Sequence, residues 1–261
     1  MERLADTHCH LAMEDFAGDL AETLERACIA GVEKMLIAGS DEKASIDAFG
    51  LVSREKSCGL FVAVGIHPHD SNSASGGIPR SVSELALDPA VAAVGETGLD
   101  YFYDHSPREI QKEVFVLHAA LARECAKPLV VHVRDAYDDA IEILRRERAS
   151  ECGGVIHCFS GEMHHARAAI DLGFYISFAG PLTYPKNETL RKIASELPLE
   201  RILCETDSPY LSPQPRRGKR NEPANVRFVY EELARVRGIS VEECAEAVWK
   251  NALRLFGWGD Q

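Results

Sequence analysis

The stretch Asp6-Thr7-His8-Cys9-His10-Leu11 follows Arg3-Leu4-Ala5 and precedes a helical pattern, so it reads as the end of a first β-strand. Side chains alternate faces along a strand, which points His8 and His10 one way and Cys9 the other. Two imidazoles on one face at a strand's C-terminal end form a ready pair of metal ligands. A lone His-x-His is a weak signal. Its weight comes from similar strand ends further down the chain, each carrying His, Glu or Asp.

Working outward, apolar strands are expected at residues 34–39, 60–66, 91–96, 128–133, 155–159, 175–179 and 202–204. Helical periodicity falls between them, at 16–30, 44–55 and 106–126, and again at 222–237 and 241–256. Ser40-Asp41-Glu42 and Ser106-Pro107-Arg108-Glu109 look like helix starts. Residues 70–79, rich in Ser, Asn and Gly, read as a surface loop on the functional side. Eight nearly all-apolar strands alternating with helices make a parallel sheet covered by helices. An open doubly wound sheet would share this pattern but concentrates its site at one switch point. Here polar residues follow nearly every strand, as at the C-terminal mouth of a (β/α)8 TIM barrel, and one such domain over residues 1–261 is expected.

Composition narrows the function. A net charge of −12 argues against a protein that holds nucleic acid by a broad basic surface. No apolar run approaches the roughly 20 residues that span a bilayer, and no signal-peptide pattern precedes the first motif. Cys9, Cys28, Cys58, Cys125, Cys152, Cys158, Cys204 and Cys244 show no C-x-x-C spacing and are expected to be buried free thiols. A cytoplasmic protein without membrane contact is the expectation.

The ionisable strand ends are His8 and His10, His67 and His69, Glu96 and Asp100, His132, His157, and Glu205 with Asp207. A barrel collects such ends around one axis. Buried groups of this kind need partners, and two divalent cations sharing a carboxylate would satisfy them. Glu205 and Asp207 lie two apart and share a strand face; Asp207 is the better ligand, with an oxygen to spare for a proton from an attacking water. Glu205 could bind a further metal, orient a neighbouring ligand or pair with nearby arginines.

The motifs in order are DTHCHL at 6–11, GIHPH at 65–69, GETGLDY at 95–101, HVRDA at 132–136, HCFSG at 157–161 and ETDSPYL at 205–211, followed by PRRGKRNEP. This series resembles the TatD family of metal-dependent deoxyribonucleases, within the wider amidohydrolase-like metal barrels, across essentially the whole chain. Val133 departs from the small polar residue many relatives carry. The resemblance implies that His8, His10 and Asp207 hold one metal, His132 and His157 the other, and Glu96 bridges both. No lysine lies on the fourth strand to serve as an alternative bridge.

Around these, Glu96, Glu205, Asp207 and His67 are the candidate catalytic groups, with His67 placed to contact a phosphate or donate a proton. Arg134 and Ser160 are candidate phosphate contacts, and Tyr101 and Tyr184 candidate stacking partners. Arg217 and Arg220, with Arg216 and Lys219, form a basic loop suited to clamp phosphate oxygens, and Asn221 could add a hydrogen bond. The expected reaction is phosphodiester hydrolysis with two cations, Mg2+, Mn2+ or Zn2+. By resemblance the substrate is DNA, at exposed or single-stranded ends, because a deep mouth suits frayed nucleotides better than a duplex. The same ligands would also serve another bond, such as an aminoacyl-tRNA ester or a cyclic amide, and a non-catalytic metal-binding barrel would keep the metal without turnover.

Overall fold

A computed structural model describes residues 2–55 and 59–259. Eight strands form one parallel sheet whose order follows the sequence, β1 to β8. They are β1 (Leu4–Cys9), β2 (Val32–Ala38), β3 (Gly59–Val64), β4 (Val91–Asp100), β5 (Leu129–Arg134), β6 (Gly154–Ile156), β7 (Tyr175–Phe178) and β8 (Ile202–Cys204). Residues just past β8 return beside β1: Cys9 and Ser208 form a parallel bridge, and the Asp207 N–H donates to the His8 carbonyl at 2.9 Å. Strand order 1 to 8 with this return is the (β/α)8 barrel topology. All six residues of β1 are buried, as are nine of the ten in β4, in keeping with parallel strands covered on both faces.

The described residues fall into two compact units, one drawn from Met1–Ile37, Glu55–Leu60 and Ser177–Gln261, the other from Ala38–Arg54 and Phe61–Ile176. In the first, α8 (Val226–Arg237) and α9 (Val241–Phe256) pack against β1 and β8, α7 (Glu188–Glu196) packs on α8, and α1 (Leu20–Ile29) on the turn at Pro223–Asn225. Helix α9 starts where sequence patterning places it. The Ser240 side chain accepts from the Glu243 N–H, and Gly257 closes the helix at φ +64°. Tyr230 of α8 is fully buried and exchanges hydrogen bonds with both the N–H and the carbonyl of Ala5, which ties that helix to β1.

The second unit holds α2 (Glu42–Arg54), α3 (Arg80–Leu87), α4 (Arg108–Cys125), α5 (Tyr137–Arg146) and α6 (Met163–Asp171). Asp41 caps α2, its Oδ1 accepting from the Ala44 N–H at 2.7 Å. Ser106 was expected to open α4 as a cap, but Pro107 occupies the cap position. The Ser106 hydroxyl instead accepts from the Asn72 N–H and donates to the His69 carbonyl. It therefore fastens the start of the expected surface loop, where a 3-10 turn runs over Pro68–Ala74 before residues 75–79 lead into α3. Helix α3 escapes sequence patterning because it is short and its preceding Pro79 offers no side-chain cap. Seven described cysteines are free thiols, but only Cys9, Cys204 and Cys244 are buried, and Cys28 is exposed; Cys58 lies outside the described residues. Among the described residues, no helix is long and apolar enough to cross a membrane.

Candidate metal centre

In the first unit, His8, His10 and Asp207 converge. The Nε2 atoms of His8 and His10 are 3.1 Å apart, and Asp207 Oδ1 lies 3.7 and 3.5 Å from them. The strand alternation that puts both imidazoles on one face is thus realised. Asp207 reaches them from the turn after β8, with backbone in the left-handed region at φ +56°, a conformation aspartate tolerates better than most residues. Fully buried Asp6 holds this turn against β1: its carboxylate accepts from the Thr206 N–H at 2.8 Å and the Thr206 hydroxyl at 2.6 Å. Burial raises the Asp6 pKa to about 8, against the Thr206 bonds and with help from the nearby Glu205 charge. Glu205 is itself fully buried.

In the second unit, three imidazoles surround one oxygen of Glu96. Glu96 Oε1 is 2.8 Å from His157 Nε2, 3.1 Å from His132 Nδ1 and 3.3 Å from His67 Nε2. Glu96 is 3 % exposed and His157 likewise. The close approach of β4 to β5 that brings Glu96 and His132 together depends on Gly98, paired in register with His132. Its φ is +138°, and a Cβ there would sit 2.0 Å from the His132 carbonyl oxygen.

Asp100 stands behind this cluster. It is fully buried, and its Oδ2 accepts from His132 Nε2 and His69 Nε2, both at 3.0 Å. Its Oδ1 accepts from the Phe102 and Tyr103 N–H groups, at 3.0 and 2.8 Å. The Gln111 side-chain amide grips its backbone from both sides, accepting from the N–H and donating to the carbonyl. Burial works against the Asp100 charge, but hydrogen bonds from His132, Tyr103 and His69 outweigh it and hold the carboxyl well below the usual range. Sequence analysis placed Asp100 among the ionisable strand ends, four residues beyond Glu96 on the same strand, but assigned it no role.

His132 sits between two carboxylates, its Nε2 on Asp100 Oδ2 and its Nδ1 3.1 Å from Glu96 Oε1 and 3.3 Å from His157 Nε2. Burial opposes a proton on His132, but the two flanking carboxylates outweigh it and raise its pKa. A divalent cation would be held by these same atoms, since imidazole nitrogens with a carboxylate are a fitting ligand set for one. His67 is different. Its Nδ1 accepts from the His69 N–H at 3.2 Å, so the neutral ring presents Nε2–H to Glu96. Burial lowers its pKa to about 4 despite the attraction of Glu96.

Several expected substrate contacts are engaged elsewhere. Asn221 is fully buried: its amide donates to the Thr206 and Tyr210 carbonyls and accepts from Asn225 and from the Glu222 N–H. It has no capacity left for a substrate, which corrects the expectation. Arg220 pairs with Asp19 at 2.7 Å and covers the Phe16 ring, so it belongs to a surface ion-pair network with Arg26 and Glu222 rather than to a phosphate clamp. Tyr101 is half-buried, donates to Asp139 at 2.6 Å and carries Arg108 over one face. Exposed Arg217 lies over the half-buried Tyr184 ring and donates to its hydroxyl, which itself donates to the Ser212 carbonyl. Ser160 is exposed, with its N–H on the Tyr137 hydroxyl, and Arg134 lies across Phe102 and Tyr103.

A parallel (β/α)8 barrel with imidazole and carboxylate clusters at its strand ends defines a class, the barrel hydrolases that work with metal ions. A family model described as TatD related DNase matches residues 5–257, and the chain belongs to that family. It is 40 % identical over 253 residues to an uncharacterized metal-dependent hydrolase, YabD, of Bacillus subtilis, covering 97 % of this chain and 98 % of that one. A Klebsiella pneumoniae protein named 3'-5' ssDNA/RNA exonuclease TatD is 34 % identical over 257 residues, 97 % of each chain. The crystal structure of YjjV, a TatD homolog from Escherichia coli, superposes with a TM-score of 0.89 at 30 % identity, covering 98 % of this chain and 99 % of that one.

Proposed function

We propose that the protein hydrolyses phosphodiester bonds of DNA, acting on exposed or single-stranded ends, and that it does so as one cytoplasmic catalytic domain. The observation that carries the reading is the pair of donor clusters, with His132 held by Asp100 so that its Nδ1 faces Glu96. His8, His10 and Asp207 would hold one divalent cation, and Glu96, His132 and His157 a second, as Mg2+, Mn2+ or Zn2+. Such cations would supply Lewis acidity, polarising a phosphoryl oxygen and lowering the pKa of an attacking water.

The chain's own groups do the remaining work. Asp207 accepts the proton of the attacking water through the oxygen not turned to the histidines. His67, neutral at pH 7, donates to Glu96 and keeps that carboxylate oriented. Arg134 and Arg217 neutralise phosphate charge in a protein of net charge −12. The K. pneumoniae relative's name supports a single-stranded substrate, and RNA belongs in the same assay.

The test is metal analysis of purified protein together with cleavage of end-labelled single-stranded DNA by wild type, His132→Ala and Glu96→Ala. Both variants are expected to lose metal and cleavage together. Full cleavage by either variant, or turnover of a charged tRNA with DNA untouched, would overturn the proposal.

A further inference from the structure

Immediately past β4 the chain exposes two large aromatics in succession: Phe102 is 55 % and Tyr103 50 % accessible. They are not loose. Both of their N–H groups donate to the buried Asp100 carboxylate, so the turn that presents them is fixed from beneath. The rings meet edge-to-face at 4.9 Å, and Tyr103 stacks on His105 with only 7° between their planes. The Arg134 guanidinium lies 4.0 Å from the Phe102 centroid and 4.9 Å from that of Tyr103. Arg134 is placed there because it pairs in register with Asp100 across β4 and β5.

This surface adjoins the donor cluster. Tyr103 contacts the edge of His69 at 5.3 Å between ring centroids, and His69 lies 6.2 Å from His132. The same Asp100 carboxylate that seats the two aromatic residues also seats His69 and His132. We propose that Phe102 and Tyr103, with Arg134 across them, form a shelf on which a nucleobase of the bound strand stacks beside the Glu96–His132 cluster. The proposal deepens the nuclease reading and rests on it.

Three features select a nucleobase. A π-face flanked by a guanidinium attracts planar aromatic ligands without choosing among bases. Stacking also gives an acidic protein, which lacks a broad basic surface, a source of affinity independent of phosphate charge. Finally, a shelf immobilised by its own backbone hydrogen bonds costs little ordering on binding.

The test uses single-stranded DNA with either intact or abasic nucleotides at its end, offered to the full-length protein with Mn2+. Base stacking is worth about 1–3 kcal/mol, so wild type should prefer the intact end by roughly 5- to 150-fold in kcat/KM. Phe102→Ala combined with Tyr103→Ala should bring that preference close to one. A binding measurement separates the shelf from the chemistry. In Phe102→Trp the new indole is expected to be quenched by intact but not abasic oligonucleotide, against a background in which Trp249 and Trp258 are 2 % and 3 % exposed. Quenching without cleavage under any metal would sink the nuclease reading and keep the shelf. Cleavage with no preference for the intact end, with a preference that survives the double variant, or without quenching would sink the shelf alone.

Discussion

His118 lies in the middle of α4, fully buried, with no part in the donor clusters. Its Nδ1–H donates to the Val114 carbonyl at 2.8 Å, and its Nε2 accepts from the Ile66 N–H at 3.0 Å. Both nitrogens are thereby used in the neutral form. Burial lowers its pKa from 6.5 to about 4, against a small upward pull from the Val114 bond. The unfolded chain binds a proton near pH 6.5 and the folded chain does not, so this histidine contributes full stability above pH 6.5. The contribution is lost as pH falls from 6.5 toward 4. Between pH 8 and pH 5 the loss is about 2 kcal/mol for a shift of this size.

Replacing His118 by Leu removes the titration and leaves the buried Ile66 N–H without an acceptor. The second effect costs about 1–3 kcal/mol at any pH. At pH 8 the variant should therefore be less stable than wild type by about that amount. At pH 5 the difference should shrink by about 2 kcal/mol, because only wild type carries the proton-linked penalty. Urea unfolding of both proteins at the two pH values measures this, and groups common to both cancel in the comparison. An equal penalty at pH 8 and pH 5 would show that His118 is not held neutral by the fold.

Three further outcomes test the site's construction. Asp100→Asn should weaken cation binding about 10- to 100-fold in a chelator competition while the protein stays folded, since the carboxylate orients His132 without being a ligand; unchanged affinity would remove Asp100 from that role. Gly98→Ala places a methyl 2.0 Å from the His132 carbonyl at φ +138°, so it should unfold the protein or cost upward of about 3 kcal/mol, and a wild-type melting temperature would contradict the described β4–β5 approach. Asn221→Ala should cost about 2–4 kcal/mol in stability by breaking four internal hydrogen bonds, whereas normal stability with a raised KM would restore it as a substrate contact.

The strands and the donor residues were legible because both obey local rules. Period-two spacing puts His8 and His10 on one face, and apolar runs ended by polar residues mark each strand of a parallel barrel. Contrary to expectation, Asp207 does not share a strand face with Glu205: β8 ends at Cys204, and Asp207 reaches the histidines from the turn beyond it at φ +56°. The arginines of the loop after β8 were not legible. Arg217 and Arg220 stand three positions apart in one basic run, and nothing local distinguishes them. In the fold, Arg220 is bound to Asp19, 201 residues away, which holds that carboxyl down at about 2, while Arg217 stays exposed over the half-buried Tyr184 ring. A charge's availability is decided by whether an opposite charge reaches it, and that partner can come from anywhere in the chain. Phe102 and Tyr103 escaped notice for the converse reason. Aromatics in a loop usually pack, and only the hydrogen bonds to Asp100, which turn the backbone so that both rings face outward, mark these two as a surface held open.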